Sequence, residues 1–410
     1  MKEKKVLIIT DYFPPRFAPR MGYLSKYLSE HGWKGIAISP VYEADSNRSF
    51  FDFLSGYIPC ERIYISKQRA KKKFFHKAIS FFFPDMRSPF GLNNEMMYHI
   101  NELMAKEKID IILCSTYTLF PLNIAYKTAK LYKIPWIADL RDIEEQYLVK
   151  ESLLMEIHKK IGILRRNYLL KSANAIIAVS KRHIEILNNY GLQASLIYNG
   201  FDPDIFIPSK YHEMDKFRIV YTGALADTRV SRDVSPLFSA IQKLYNNGDI
   251  NPNNCRIQFY SDNESQKIVN KLKDNFCVSD FIDCFDYVPA TEIPKILNES
   301  SILLLLIKGN TGIMTTKLFE YLGSGRPILY IWSDEGAIEE IINKSNAGIA
   351  AKTEEDIQLF IKSKYDEWVK TKYTNSDVDI NFISKFSRKY NAKQFIEIFN
   401  TILKNKLENK

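Results

Sequence analysis

Short β-branched runs alternate with amphipathic helical stretches along nearly the whole chain, and that alternation restricts the fold more than any other feature. It is the pattern of parallel sheets built from βαβ units. In the first half, residues 6–10, 35–39, 109–114, 136–140, 175–179 and 195–198 read as strands, separated by helical stretches at 21–30, 93–106, 121–132 and 144–171. After Asn199 the stretch GFDPDIFIPSKYHEMDK mixes prolines and acidic residues and breaks both periodicities, so it reads as a linker. The alternation then resumes with strands at 217–222, 256–261, 281–288, 302–307 and 327–331. A closing segment, 383–403, spaces Phe386, Tyr390, Phe395, Phe399 and Leu403 at helical intervals. The expected fold is α/β: two doubly wound domains at 1–203 and 204–383, then a C-terminal helix at 384–410.

Length and composition agree with this and exclude other classes. A chain of 410 residues has room for several domains at about 100–200 residues each. Apolar residues at 46% and charged residues at 26% are ordinary for a globular protein, which excludes a disordered or fibrous chain. Lys and Arg number 57 against 48 Asp and Glu, a net charge of +9, which favours an anionic partner or substrate. Cys60, Cys114, Cys255, Cys277 and Cys284 are scattered with no paired spacing, so neither a disulfide framework nor a zinc site is expected, and a reducing cytoplasm is. MKEKKVLIIT is too short in apolar residues for a signal-peptide core, and no run reaches the roughly 18–20 apolar residues of a membrane span.

Open parallel sheets bind ligands beyond the carboxyl ends of their strands. The first such turn, TDYFPPRFAPRMGYL, lacks G-x-G-x-x-G, which disfavours a classical NAD enzyme, and instead offers Arg16, Arg20 and Gly22. These cations either face a cleft or are solvated in an exposed loop. WIADLRD ends a strand in Asp139, Arg141 and Asp142, either at a site or as an internal Asp139–Arg141 ion pair. Ser180 reads as a helix cap, and His158 and His183 as surface or packing residues. Asp377 and Asp379 have a D-x-D spacing in a polar stretch with no strand before it, which is a poor metal site. VYTGALADTRVSRDV places Gly223 before Arg229 and Arg232, an arrangement that suits phosphate unless the arginines are merely solvated.

The most informative stretch is LLLLIKGNTGIMTTKLFEYLGSGRPILY. A buried strand empties into a glycine-containing loop at 308–316, followed by a helix from Thr316 that ends at 323–325. Loop amides and the helix N-terminus form an anion cradle. Lys317 stands in the first turn, where a cation opposes the helix dipole, and Glu320 follows on nearly the same face. A cation for diphosphate and a carboxylate for ribose hydroxyls suit a nucleotide-sugar site. Separately, Lys67, Arg69, Lys71, Lys72, Lys73 and Lys77 surround Phe74 and Phe75, and Phe81 to Phe83 follow. Basic residues beside aromatics fit a membrane interface, at about 1 kcal/mol per cation near anionic lipid, or a solvated loop beside a buried aromatic helix.

Together these motifs resemble the GT-B fold glycosyltransferases of family 4, more narrowly the bacterial members that build capsular or O-antigen polysaccharide, whose sequences often open like residues 5–15 of this chain. The resemblance implies two Rossmann-like domains facing across a cleft, the acceptor in the N-terminal domain, the donor in the C-terminal one, and the last helix crossing back. It further implies a retaining, metal-independent transferase without a cofactor, acting on a nucleotide-sugar donor and a glycan or lipid-linked glycan. Glu320 matches the second glutamate of the family's E-x7-E motif, the one that holds the donor ribose; the first falls at Gly312 and is absent. Backbone amides from Gly312 through Thr315 and Thr316 would then orient the donor sugar. The diphosphate-clasping pair matches best to Arg229 or Arg232, with Lys317 as an additional cation. Asp142 or Asp139 would orient the acceptor hydroxyl, with Arg16, Arg20, Gly22 and Arg141 on the acceptor side.

The expected location is the cytoplasm, peripherally associated with the inner face of the membrane through Lys71, Lys72, Lys73, Phe74 and Phe75. Nothing orders the basic run into a nucleic-acid recognition element. Two alternatives stand beside the transferase: a GT-B sugar-nucleotide epimerase or hydrolase, which needs a general acid/base pair, and a non-catalytic nucleotide- or glycan-binding protein, which the missing glutamate at 312 favours.

Overall fold

A computed structural model describes residues 3–14, 16, 18–41, 60–66, 81, 84, 92–146, 152–208, 211–226, 232–307, 314–333 and 336–408. Arg229, Gly312, Lys71, Lys72, Lys73, Phe74 and Phe75 lie outside them. The chain forms two compact units, Met1–Tyr198 with Arg388–Lys410, and Asn199–Ser387.

In the first unit the strands are β1 (Lys4–Thr10), β2 (Trp33–Val41), β3 (Cys60–Ser66), β4 (Ile111–Thr116), β5 (Trp136–Leu140), β6 (Ala175–Ala178) and β7 (Ser195–Leu196), in the order β3-β2-β1-β4-β5-β6-β7. Every neighbouring pair is parallel. The helices are α1 (Pro19–Leu28), α2 (Leu92–Lys106), α3 (Leu119–Tyr132), α4 (Leu153–Leu170) and α5 (Lys181–Asn188). Strands β4 and β5 are buried along their whole length, as central strands covered on both faces are. Strand order reverses between β1 and β4, which opens a crevice at their carboxyl ends.

The second unit repeats the plan with β8 (Phe217–Thr222), β9 (Cys255–Tyr260), β10 (Ile282–Phe285), β11 (Ile302–Leu306), β12 (Ile328–Ile331) and β13 (Gly348–Ala351), in the parallel order β10-β9-β8-β11-β12-β13. Its reversal falls between β8 and β11. The helices are α6 (Ser235–Asn246), α7 (Asn263–Asn275), α8 (Ile293–Asn298), α9 (Thr316–Ser324), α10 (Ala337–Ser345), α11 (Glu354–Thr371) and α12 (Ile380–Ser384). The last helix, α13 (Arg388–Glu408), belongs to the first unit, where it packs on α1 and Phe399 meets Trp33 edge to face at 5.1 Å.

Four expectations are corrected. The 383–403 segment is not one helix: it breaks between Ser384 and Arg388, and Phe386 packs on Phe319 in the second unit while Phe395 and Phe399 serve the first. The helix expected at 144–171 is a short 3-10 turn, Glu144–Gln146, and then α4. The supposed linker is packed: Phe201, Phe206 and Met214 are buried, and Phe201 bridges to Ser387. Room for it comes from Gly323, where a β-carbon would stand 2.6 Å from the Phe201 ring. Finally, β3 and β13 add strands at sheet edges. β3 is CERIYIS, in which the exposed Glu61 and half-buried Arg62 interrupt the apolar run and hide the strand pattern.

Candidate functional site

In the second unit the reversal point carries a linked set of groups. β8 ends at Thr222, and Gly223 follows with φ +108°, a left-handed conformation that favours glycine. That backbone leaves space for Lys317, whose Cε and Nζ would lie 2.7 Å from a β-carbon at position 223. Lys317 Nζ donates to Tyr221 Oη at 3.2 Å and stands 4.6 Å from the ring centroid. Tyr221 Oη donates onward to the Ala224 carbonyl at 2.9 Å, and Arg232 Nη1 donates to the same carbonyl at 2.9 Å. The structure therefore brings Gly223, Lys317 and Arg232 together around one backbone turn.

Helix α9 opens here. Thr315 is its N-cap, in extended conformation and without a side-chain capping bond, and Thr316 begins the helix. Lys317 places its charge beside the amide end, so the two cations and the helix dipole converge on a place suited to an anion. Glu320 is half-buried, one turn beyond Thr316. Gly325 closes the helix as a left-handed C-cap at φ +66°. Two tyrosines that sequence reasoning missed support this end of the sheet: Tyr321 Oη lies 3.5 Å from Thr222 Oγ1, and Tyr330 Oη donates to the Ile307 carbonyl at 3.2 Å. Burial pushes the Tyr321 hydroxyl up to about 12. The alternation of Phe217, Ile219 and Tyr221 along β8 was the available signal for the tyrosine beneath Lys317.

In the first unit, Asp11 follows β1 and is buried; it accepts from Thr116 Oγ1 at 2.7 Å, Tyr117 N at 2.8 Å and Thr118 N at 3.3 Å. Asp139, wholly buried, accepts from Arg20 Nε at 2.9 Å, Arg20 Nη2 at 2.8 Å and Ser115 Oγ at 2.7 Å. The ion pair considered from sequence between Asp139 and Arg141 is thus corrected: the partner is Arg20, whose Nη1 also donates to the Tyr198 carbonyl at 2.8 Å. Arg20 lies inside the unit, over Phe395, and not in an exposed loop, and Gly22 lies buried within α1. Arg16 stands 4.5 Å over the Tyr12 ring. Arg141, buried, lies 3.7 Å over the Tyr117 ring.

Asp142 sits apart from Asp139, half-buried, and accepts from Gln146 Nε2 at 2.8 Å. With that amide nitrogen donating, Gln146 Oε1 accepts from His183 Nε2 at 2.6 Å, which places a proton on Nε2 of the histidine. Burial pulls the His183 pKa down to about 4, partly offset by the nearby Asp142 and Glu145 carboxylates. Ser180 caps α5, accepting from His183 N at 3.1 Å. Next door, burial raises Glu144 to about 7 against the pull of Arg166. Asp379 caps α12 through Phe382 N at 3.0 Å, a structural use for one half of the D-x-D pair. No helix among the described residues is long and apolar enough to cross a membrane.

A search of curated proteins finds no match. Among solved structures the chain is similar to sucrose-phosphate synthase from Thermosynechococcus elongatus, at 11% identity and TM-score 0.67 over 98% of this chain and 100% of that one. It is also similar to HepE from Anabaena in complex with UDP, at 12% identity and TM-score 0.64 over 97% and 100%. A UDP-N-acetylglucosamine 2-epimerase aligns at 13% identity and TM-score 0.56 over 97% and 95%. At such identities the likeness establishes the fold, two Rossmann-like units of the GT-B class. Residues 60–205, from β3 to the start of the second unit, match the family model described as Glycosyltransferase Family 4.

Proposed function

We propose that the chain is a retaining, metal-independent glycosyltransferase that moves a sugar from a nucleotide-diphosphate sugar to a lipid-linked glycan in cell-surface polysaccharide synthesis. The observation that carries the reading is the convergence of Lys317 and Arg232 on the turn at Gly223, beside the N-terminus of α9, in a chain whose residues 60–205 match the transferase family. Departure of a nucleoside diphosphate builds negative charge on its outer phosphate. Fixed cations and helix-terminal amides stabilise that charge more in the transition state than in the ground state. Glu320, one turn along α9, would take the ribose hydroxyls, and Asp142, held by Gln146, would orient the acceptor hydroxyl for attack on the face the leaving group vacates. Arg16 and Arg141 fall to the acceptor side. The basic and aromatic residues at 71–75 would rest the protein on the anionic inner membrane surface.

Thermal stabilisation by UDP, GDP, ADP and dTDP tests the donor site, since a ligand that binds only the folded state raises its melting temperature. A rise with one nucleotide that disappears in Lys317→Ala is expected; no rise with any of them overturns the reading. The likeness to an epimerase favours a second reading, in which the same donor site serves epimerisation. Epimerised sugar formed from UDP-N-acetylglucosamine without any acceptor would establish that reading instead.

A further inference from the structure

Arg141 carries donors that the interior leaves unmet. It is 6% exposed, and its Nε and Nη1 are sealed from water and find no hydrogen-bond acceptor among the described residues. Among the described residues its Nη2 reaches Thr10 Oγ1 at 3.4 Å and Ser115 O at 3.5 Å, both long for hydrogen bonds. The adjacent carboxylates are committed elsewhere: Asp139 to Arg20 and Ser115, Asp11 to the donors of 116–118. A guanidinium cannot shed its proton, and leaving donors of a charged group unmet in the interior is costly. A packing role alone would be served better by an apolar side chain.

Its place gives the charge a use. Arg141 lies one residue beyond β5, and its Nη2 points toward the ends of β1 and β4, where the strand order of the first sheet reverses and where open sheets receive ligands. The Tyr117 ring covers it at 3.7 Å and is itself 39% exposed, so this side chain lies between the guanidinium and solvent. Tyr12 stands 5.9 Å from Tyr117, and Arg16 lies 4.5 Å from the Tyr12 ring, so a second cation stands nearby.

We propose that Arg141 anchors an anion-binding subsite beneath Tyr117, which receives a carboxylate or phosphate carried by the acceptor. Assigning the anion to an acceptor rests on the transferase reading; the subsite itself does not. The acceptor would then be an acidic or phosphorylated glycan, because a guanidinium donates only and an anion meets its donors and its charge together.

The test uses the full chain carrying Lys317→Ala, which weakens the anion site of the second unit. Its melting temperature is followed against sodium phosphate, sodium glucuronate, glucose, and sodium chloride at matched ionic strength. A saturable rise of about 2–4 °C is expected with phosphate or glucuronate, whichever anion the subsite takes, and with neither glucose nor chloride. Arg141→Gln added to this protein should abolish the rise. Tyr117→Ala should lower the half-saturating concentration several-fold by removing the cover. No saturable rise in the Lys317→Ala protein, an undiminished rise in Arg141→Gln, or an unchanged half-saturation in Tyr117→Ala overturns the proposal. If Arg141→Gln does not fold, the Tyr117→Ala titration decides alone. Anion binding that persists while wild-type protein ignores every nucleotide overturns the transferase reading and leaves the subsite standing.

Discussion

Lys317 passes so close to Gly223 that a β-carbon on the glycine would stand 2.7 Å from both its Cε and its Nζ. The two residues lie 94 positions apart in sequence, one after β8 and one in the first turn of α9, and each makes the other possible. Gly223→Ala therefore acts in two ways. The left-handed φ of +108° costs about 1 kcal/mol or more when a β-carbon is added, and the lysine end is pushed aside. The expected outcome is a modest drop in melting temperature with a loss of nucleotide-diphosphate affinity of about tenfold. Because the substitution acts through the lysine, Gly223→Ala added to Lys317→Ala should weaken binding little further, and calorimetric titration of the double-mutant cycle reads that coupling.

The Arg20–Asp139 pair makes the opposite kind of prediction. Both side chains are almost wholly buried and joined through two guanidinium nitrogens, so removing one partner strands a charge. Arg20→Met should cost about 3–5 kcal/mol in urea unfolding, and Arg20→Met with Asp139→Leu should recover much of that. If Arg20 instead serves acceptor binding from an open surface, Arg20→Met leaves the urea midpoint in place and raises only the acceptor KM.

A third test concerns packing. Gly323 lies within α9, where alanine is intrinsically favoured by about 1 kcal/mol. Its missing β-carbon would meet the Phe201 ring at 2.6 Å and Phe206 Cβ at 2.9 Å. Overpacking typically costs about 1–3 kcal/mol, so Gly323→Ala should lower the melting temperature, and Phe201→Leu in the same chain should recover part of the loss. A Gly323→Ala protein more stable than wild type would mean that residues 201–206 do not pack there.

The fold was legible where the physics is local. Ile302–Leu306 reads as a strand buried on both faces, and α9 announces its start at Thr316 and its end at Gly325 through chemistry within one turn. β3 was not legible, because an edge strand faces solvent with Glu61 and Tyr64 and so lacks the buried run. Nor was the break before Arg388: Phe386 and Phe395 sit at helical spacing, yet they serve different units. At the site, residue types were readable and partners were not. Arg20 and Asp139 are separated by 119 positions, and no spacing rule joins them; only the parallel register of β4 with β5 and the seat of α1 do.

Acid stability reports on the Asp142–Gln146–His183 chain and on Glu144 beside it. His183 is held neutral, its pKa lowered from 6.5 to about 4, so the unfolded chain takes up its proton first as pH falls. That destabilises the protein progressively between pH 6.5 and 4, by about 3 kcal/mol at the low end. Glu144 has the opposite sign. Its pKa is raised from 4.5 to about 7, so the folded state takes up that proton first, and its stabilising contribution is full below pH 4.5 and lost as pH rises through 7. Over pH 4.5 to 6.5 the two contributions oppose each other, and the wild-type stability should change less than either group alone would dictate. Glu144→Gln removes the opposing term and should make the urea midpoint fall more steeply on acidification. His183→Gln should leave stability rising as pH falls from 7 toward 5. Parallel pH profiles for all three proteins would mean that neither side chain is buried as described, and that Asp142 is not held by a neutral histidine through Gln146.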